Sequence, residues 1–281
     1  MAVRSRPVLI TGCSTGIGRA TALRLVRSGL TVIATARRQD SITDLRQEGC
    51  TTLALDVTEE SSMASALEQV EAEHGAVGAL VNNAGYSLSG AVETLQMEDL
   101  RRQFETNVFG LVRMTQLVLP GMRSARWGRI VNIGSMGGRL TFPGGGAYHA
   151  TKHAVEALSD ALRFEVAGFG VKVVLIQPGF IRTEFAETAA SLTPVGDGPY
   201  ARFNEAVAAT TRQTYAGPLA ALGGDPDAVA RAVERAIRRR SPAPRIRVTP
   251  SARLLMTARR SMPDQAWDVF VGTTFERPAG P

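Results

Sequence analysis

Lysine is almost absent from this chain. Lys152 and Lys172 are the only two, so arginine carries nearly all of the positive charge. The formal net charge of +6 therefore reflects an arginine-rich composition. The clusters Arg238-Arg239-Arg240 and Arg259-Arg260 read as solvated helix ends. No aromatics interleave them as stacking platforms, so no nucleic-acid partner is expected. Cysteine stops at Cys13 and Cys50. One lies in a glycine-rich turn and the other before a strand-like run, which argues against a structural disulfide and suits a reducing, cytoplasmic setting. No metal-spaced cluster of His, Cys, Asp or Glu occurs, so no metal is expected. No stretch approaches the roughly 20 apolar residues of a membrane span, and the first apolar run, Val8-Leu9-Ile10, is too short for a secretory signal.

What is present is an alternation. Apolar runs at Val8–Thr11, Thr31–Thr35, Thr52–Leu55, Ala79–Asn82, Arg129–Ile133 and Val171–Ile176, with a weaker one at Arg245–Val248, read as strands. Between them lie helical patterns at Ile17–Arg27, Ser41–Gln47, Glu60–His74, Glu98–Met122, Ala150–Ala167 and Pro226–Arg238. Continuously apolar strands belong to a parallel sheet covered on both faces, and strict β-α alternation implies right-handed crossovers. The expected fold is α/β, a doubly wound parallel sheet of about seven strands. Residues 1–240 are read as the nucleotide-binding catalytic unit. Within it, 184–224 has only weak helical period and reads as a lid over a pocket. Residues 241–281, with Pro242, Pro244, Pro250 and Pro263, are read as an extension packed on the same unit.

The segment Thr11-Gly12-Cys13-Ser14-Thr15-Gly16-Ile17-Gly18 joins the first strand to the first helix. Its glycines permit a tight turn and close approach to a pyrophosphate, and the helix N-terminus behind it favours an anion. The spacing Gly12-x-x-x-Gly16-x-Gly18 resembles the loop of the short-chain dehydrogenase/reductase family. The second strand then bears on the cofactor. Ala36 stands where an NAD-binding unit commonly places an acid, and Arg37-Arg38 follow. A carboxylate would repel a 2′-phosphate, whereas a guanidinium pairs with it, so NADP(H) is expected, with Arg37 as main partner and Arg38 or Ser14 assisting. The alternative is that both arginines merely begin a solvated loop.

Tyr148-His149-Ala150-Thr151-Lys152 is a Y-x-x-x-K pattern, which places both side chains on one helical face. A free phenol has a pKa near ~10. A neighbouring ammonium is expected to lower it by about 3, worth about 4 kcal/mol. Gly134-Ser135 ends the fifth strand at the sheet's carboxyl edge, where open α/β sheets bind ligands.

The family resemblance runs over roughly residues 7–185 and implies roles residue by residue. Tyr148 is the general acid/base. Lys152 tunes it and binds the nicotinamide ribose, and Ser135 bonds the substrate oxygen. Asn107, in Asn107-x-x-Gly110, holds a water that extends a proton relay. Asp56-Val57 reaches the adenine. Asn83-Ala84-Gly85 lies against the cofactor, with Asn83 equally open to a purely structural role. Pro178-Gly179-x-Ile181-x-Thr183 fixes the carboxamide. The look of the loops is nearest to the 17β-hydroxysteroid and retinol dehydrogenase branch. His149 and His153 read as helix-face residues. Met136, Leu140, Phe142, Phe180 and Phe185 are expected as apolar pocket walls, with core residues as the alternative reading. The implied reaction interconverts a lipophilic alcohol with a ketone or aldehyde, in a homodimer or homotetramer. Two rival readings are a non-catalytic NADP(H) sensor or scaffold, separated by an NADPH oxidation assay on ketones, and a double-bond reductase or epimerase, separated by product mass.

Overall fold

The structure, a computed structural model, describes residues 6–194, 196–216, 221–275 and 277–278. Seven strands form one all-parallel sheet in the order β3-β2-β1-β4-β5-β6-β7. They are β1 (Val8–Ile10), β2 (Val32–Ala36), β3 (Thr51–Ala54), β4 (Ala79–Asn82), β5 (Gly128–Ile133), β6 (Val171–Gln177) and β7 (Arg245–Arg247). The helices are α1 (Gly16–Arg27), α2 (Thr43–Gln47), α3 (Glu60–His74), α4 (Met97–Phe104), α5 (Gly110–Ser124), α6 (Gly146–Glu165), α7 (Phe185–Ser191), α8 (Ala201–Ala216), α9 (Pro226–Arg238), α10 (Pro250–Ser261) and α11 (Asp264–Gly272). The expected single α/β domain of doubly wound type is what forms.

Two-residue alternation along the strands sorts their side chains between two cores. Val8, Ile10, Val32, Ala34 and Ala36 face Ala22 and Leu25 of α1 and Ala232, Val233 and Ala236 of α9. Leu9 and Ile33 face the opposite way, onto Met63 and Val70 of α3 and Met114 and Val118 of α5. Both faces are covered, which is why the strands read as unbroken apolar runs. A buried side chain such as Leu9 or Ile33 contributes about 1.5–3 kcal/mol.

The order reverses between β1 and β4, so the loops leaving their carboxyl ends diverge and open a crevice. Buried amides fix the strands that border it. Asn82 Nδ2 donates to Thr115 Oγ1 at 3.0 Å and to Asn132 Oδ1 at 2.9 Å, and Asn132 Nδ2 donates to Ser159 Oγ at 2.9 Å. This chain ties β4 and β5 to α5 and α6.

Three expectations need correction. The helical run at 98–122 is interrupted by a π-helical turn, Glu105–Phe109, between α4 and α5. The stretch 184–224 is largely helical, as α7 and α8. Beyond residue 240, Pro250 opens α10 at its first position and Pro263 stands at the N-cap of α11, where a missing N–H costs nothing. Among the described residues, no helix is long and apolar enough to cross a membrane.

Candidate functional site

The glycine loop follows β1 because its backbone must bend where side chains do not fit. Gly12 has φ +73° and Gly16 φ +56°, in the left-handed region. A Cβ on Gly12 would stand 2.9 Å from Ala84 Cα, and one on Gly18 would collide with Gly12 O. Asn83 holds this loop in place. Its Nδ2 donates to Thr11 O and Gly12 O, each at 2.9 Å, while Thr11 Oγ1 accepts the N–H groups of Asn83 and Ala84, each at 3.0 Å. The side chain of Asn83 is thereby a brace between β1 and β4.

Helix α1 starts with no side-chain cap on Thr15 and no acidic residue in its first turn. Its leading N–H groups and positive dipole end face the crevice, as an anion requires. Cys13 N donates to Thr35 O at 2.8 Å, which brings the loop, and hence Ser14, beside the end of β2. Arg37 and Arg38 are exposed there, and their guanidinium groups enter no hydrogen bond or ion pair among the described residues. Asp56 Oδ1 accepts from Thr58 N and Thr58 Oγ1, at 2.9 and 2.8 Å. Glycines at the turn, an uncapped helix end and unpartnered guanidinium groups fit a dinucleotide that carries phosphates.

On the other side of the crevice, β5 ends at Ile133 and Ser135 is extended. Its Oγ accepts the Gly137 N–H at 3.0 Å, which caps a 3-10 turn at Met136–Gly138. Because that oxygen accepts, the hydroxyl proton remains available to donate. Helix α6 starts four residues ahead of the expected Ala150, placing Tyr148 in its first turn and Lys152 one turn on. Ser135 lies close enough to Tyr148 to lower the phenol's pKa. Lys152 Nζ donates to Ile133 O at 2.9 Å and lies 5.7 Å from the centre of the Tyr148 ring.

The electrostatics differ from the sequence expectation. Tyr148 is half-buried. Burial pushes the phenol up to about 12, and Ser135 pulls only partly the other way. Burial likewise pushes the Lys152 ammonium down to about 8. The direction is opposite to the lowering expected from sequence: burial is the largest influence on the phenol, and Lys152 donates to a backbone carbonyl. Cys13, buried in the loop, is pushed up to about 12 and is inert as a thiolate.

Asn107 sits within the π turn, an irregularity common at functional positions. Its Oδ1 accepts from Tyr86 N at 3.1 Å, and its Nδ2 donates to Tyr86 O at 2.9 Å and Thr151 Oγ1 at 3.1 Å. Both ends of the amide are thus engaged by protein, bracing the β4 loop against α6. A Cβ on Gly85 would stand 3.0 Å from Asn107 Oδ1 and 3.9 Å from Lys152 Nζ, so glycine keeps that floor open.

The expected pocket walls separate. Phe185 alone meets Tyr148, edge to face at 5.4 Å between ring centres. Met136 and Leu140 are buried in a cluster with Ala252, Met256, Trp267 and Val271, and Phe142 and Phe180 pack against it. The core reading therefore holds for Met136 and Leu140. Leu140 and Phe142 also line a cavity of about 560 Å³ that neither Tyr148 nor Ser135 reaches.

Three features were not read from the sequence. Thr249 Oγ1 accepts the N–H of Gly179 at 3.1 Å and of Ala252 at 3.2 Å, so its proton goes to Ser251 Oγ at 2.9 Å, which accepts Phe180 N–H at 3.2 Å. The turn after β6 is thus held by the cap of α10, and the pattern Thr249-Pro250 was the available signal. Thr183 packs on Gly16, whose Cβ would stand 3.2 Å from Thr183 Cγ2. Buried Glu156, one turn past Lys152, joins Arg139 at 2.8 Å and Arg245 at 3.0 Å.

Residues 6–192 match the family model described as short chain dehydrogenase. The chain belongs to the short-chain dehydrogenase/reductase family and is an NAD(P)-dependent oxidoreductase of that kind. It is 43% identical over 181 residues to a 3-ketodihydrosphingosine reductase of Bacteroides thetaiotaomicron, covering 64% of this chain and 65% of that protein. It is 33% identical over 272 residues to an NADPH-dependent 3-dehydrocapnine reductase of Ornithobacterium rhinotracheale, covering 94% and 95% of the two chains. A short-chain dehydrogenase from Streptomyces avermitilis superposes with a TM-score of 0.79 at 36% identity, over 96% of this chain and 99% of the other.

Proposed function

We propose that this protein interconverts a lipophilic alcohol with its ketone or aldehyde, using NADP(H). The observation that carries the reading is the placement of Ser135 at the end of β5 beside Tyr148 in the first turn of α6, with Lys152 one turn behind. The glycine loop, the N-terminus of α1 and Arg37 would hold NADPH along the crevice, where it would supply the hydride. Ser135 donates its free hydroxyl proton to the substrate oxygen and steadies the charge that develops there. Tyr148, held protonated at neutral pH by burial, gives its proton to that oxygen as the alcohol forms. Lys152 fixes the end of β5 and offers its ammonium to the ribose hydroxyls. Asn107 keeps the β4 loop and α6 in register, and Asn83 keeps the glycine loop seated.

Preference for NADP(H) is supported by Ala36 in place of an acid and by the unpartnered Arg37 and Arg38. The printed description of the 3-dehydrocapnine reductase as NADPH-dependent agrees. Phe185, packed edge to face on Tyr148, supports a lipophilic substrate; the two reductases compared above are named for 3-ketodihydrosphingosine and 3-dehydrocapnine. Pairing of two copies through α5 and α6 is supported by apolar side chains left facing solvent there, Phe164 at 89% exposure and Phe109 at 53%.

The test is NADPH oxidation against a panel of long-chain and short-chain ketones. Tyr148→Phe is expected to remove turnover while NADPH still binds, as read by nucleotide fluorescence. Turnover retained by that variant rejects the reading.

A further inference from the structure

The free edge of the sheet carries a second, strongly charged groove. It has a volume of about 650 Å³ and is bordered by α9, β7 and the first turn of α10. Six arginines line it: Arg231, Arg235, Arg239, Arg245, Arg247 and Arg253. No acidic side chain does. Arg231 is paired with Asp227, and Arg245 with Glu156 and Asp160. The guanidinium groups of Arg235, Arg239, Arg247 and Arg253 enter no hydrogen bond or ion pair among the described residues.

The arrangement follows from the elements. Arg231 and Arg235, four residues apart, lie one turn apart on one face of α9, about 6 Å along its axis, and Arg239 follows as the extended residue that ends the helix. These residues face an unpaired strand. Pro244 O accepts from Leu175 N, and Val248 N donates to Gln177 O, so the even-numbered positions of β7 face β6. The N–H and C=O groups of Arg245 and Arg247 therefore both point outward along the free edge that borders the groove. Arg253 closes the groove from α10.

We propose that this groove is a binding site for a small polyanion bearing two or more phosphate groups. A guanidinium fork matches phosphate oxygens in geometry and charge. The volume lies in the range of small-ligand sites, roughly 300–1,000 Å³. A second copy of this chain is a poor occupant, because a twofold contact would set the same arginines against one another. The groove lies on the outer edge of the sheet, away from the crevice between β1 and β4, so the proposal stands independently of the oxidoreductase reading.

Titration calorimetry with inorganic tripolyphosphate tests it, run with and without saturating NADP+. With the crevice saturated by NADP+, one tripolyphosphate per chain is expected. Combining Arg235→Ala with Arg247→Ala is expected to weaken this binding at least tenfold without moving the thermal midpoint. Arg101→Ala, an exposed arginine on α4, is expected to leave it unchanged. The proposal is overturned by any of three results: no saturable binding in the presence of NADP+, an equal loss in Arg101→Ala, or no loss in the double variant. Tighter capture of a short DNA duplex than of tripolyphosphate would overturn the small-ligand assignment.

Discussion

His149 Nδ1 lies 3.0 Å from the carbonyl oxygen of Gly137. A carbonyl only accepts, so the imidazole carries a proton on Nδ1, and its burial favours the neutral form. The Gly137 N–H in turn donates to Ser135 Oγ, and the imidazole packs edge to face on Tyr148 at 5.7 Å between ring centres. His149 thus joins the start of α6 to the turn that carries Ser135. Burial pushes its pKa down to about 4.

This neutral histidine makes stability depend on pH. Between about 6.5 and 4 the unfolded chain takes up a proton that the folded one refuses, so stability is full above about 6.5 and falls as the pH drops toward 4. The loss is on the order of 3 kcal/mol. His149→Gln is expected to flatten this portion of a urea-midpoint-against-pH curve. If it also loosens the Ser135 turn, it lowers kcat more than it raises KM.

Arg37→Asp places a carboxylate at the end of β2. Repulsion of the 2′-phosphate and a new acceptor for the ribose hydroxyl are expected to move the NADP(H)/NAD(H) ratio of kcat/KM toward NAD(H) by at least tenfold, about 1.4 kcal/mol. Initial rates with both cofactors check this, and an unchanged ratio counts against Arg37.

Gly179→Ala drives a methyl into Thr249 Oγ1 and Ser251 Oγ. The Pro178–Phe180 turn must shift, and cofactor affinity is expected to fall with little change in the circular-dichroism spectrum. Calorimetry with NADP+ measures it, and native affinity would show that the turn is not needed for binding.

Glu156→Ala leaves Arg139 and Arg245 without their shared carboxylate and Gln177 Nε2 without its acceptor. Glu156 is only 5% exposed, so a loss of about 3 kcal/mol in unfolding free energy is expected. Glu156→Gln should recover part of it.

The strands were legible because burial on both faces makes each an apolar run, and α3 and α9 were legible at both ends because polar and glycine positions bound their apolar stripes. Ser135, Tyr148 and Lys152 were legible as a constellation because spacing along one helix and the end of one strand brings them together. Other features depend on distant partners. Whether Leu140 is wall or core is decided by Trp267 and Met256, more than 100 positions away in the chain. The sign of the Tyr148 shift is set by burial, which depends on what the whole fold packs around the first turn of α6 and has no signature in the local spacing. The π turn at Glu105–Phe109 continues a helical pattern without any breaker.

The linkage between Thr249 and Gly179 has a consequence for biosynthesis. A ribosome extruding this chain delivers the glycine loop, Ser135, Tyr148 and Lys152 well before residues 249–251 emerge. Until those hydroxyls arrive, the amides of Gly179 and Phe180 lack their acceptors. The Pro178–Phe180 turn is therefore completed late in synthesis, only after residues 249–251 are free to fold back onto it.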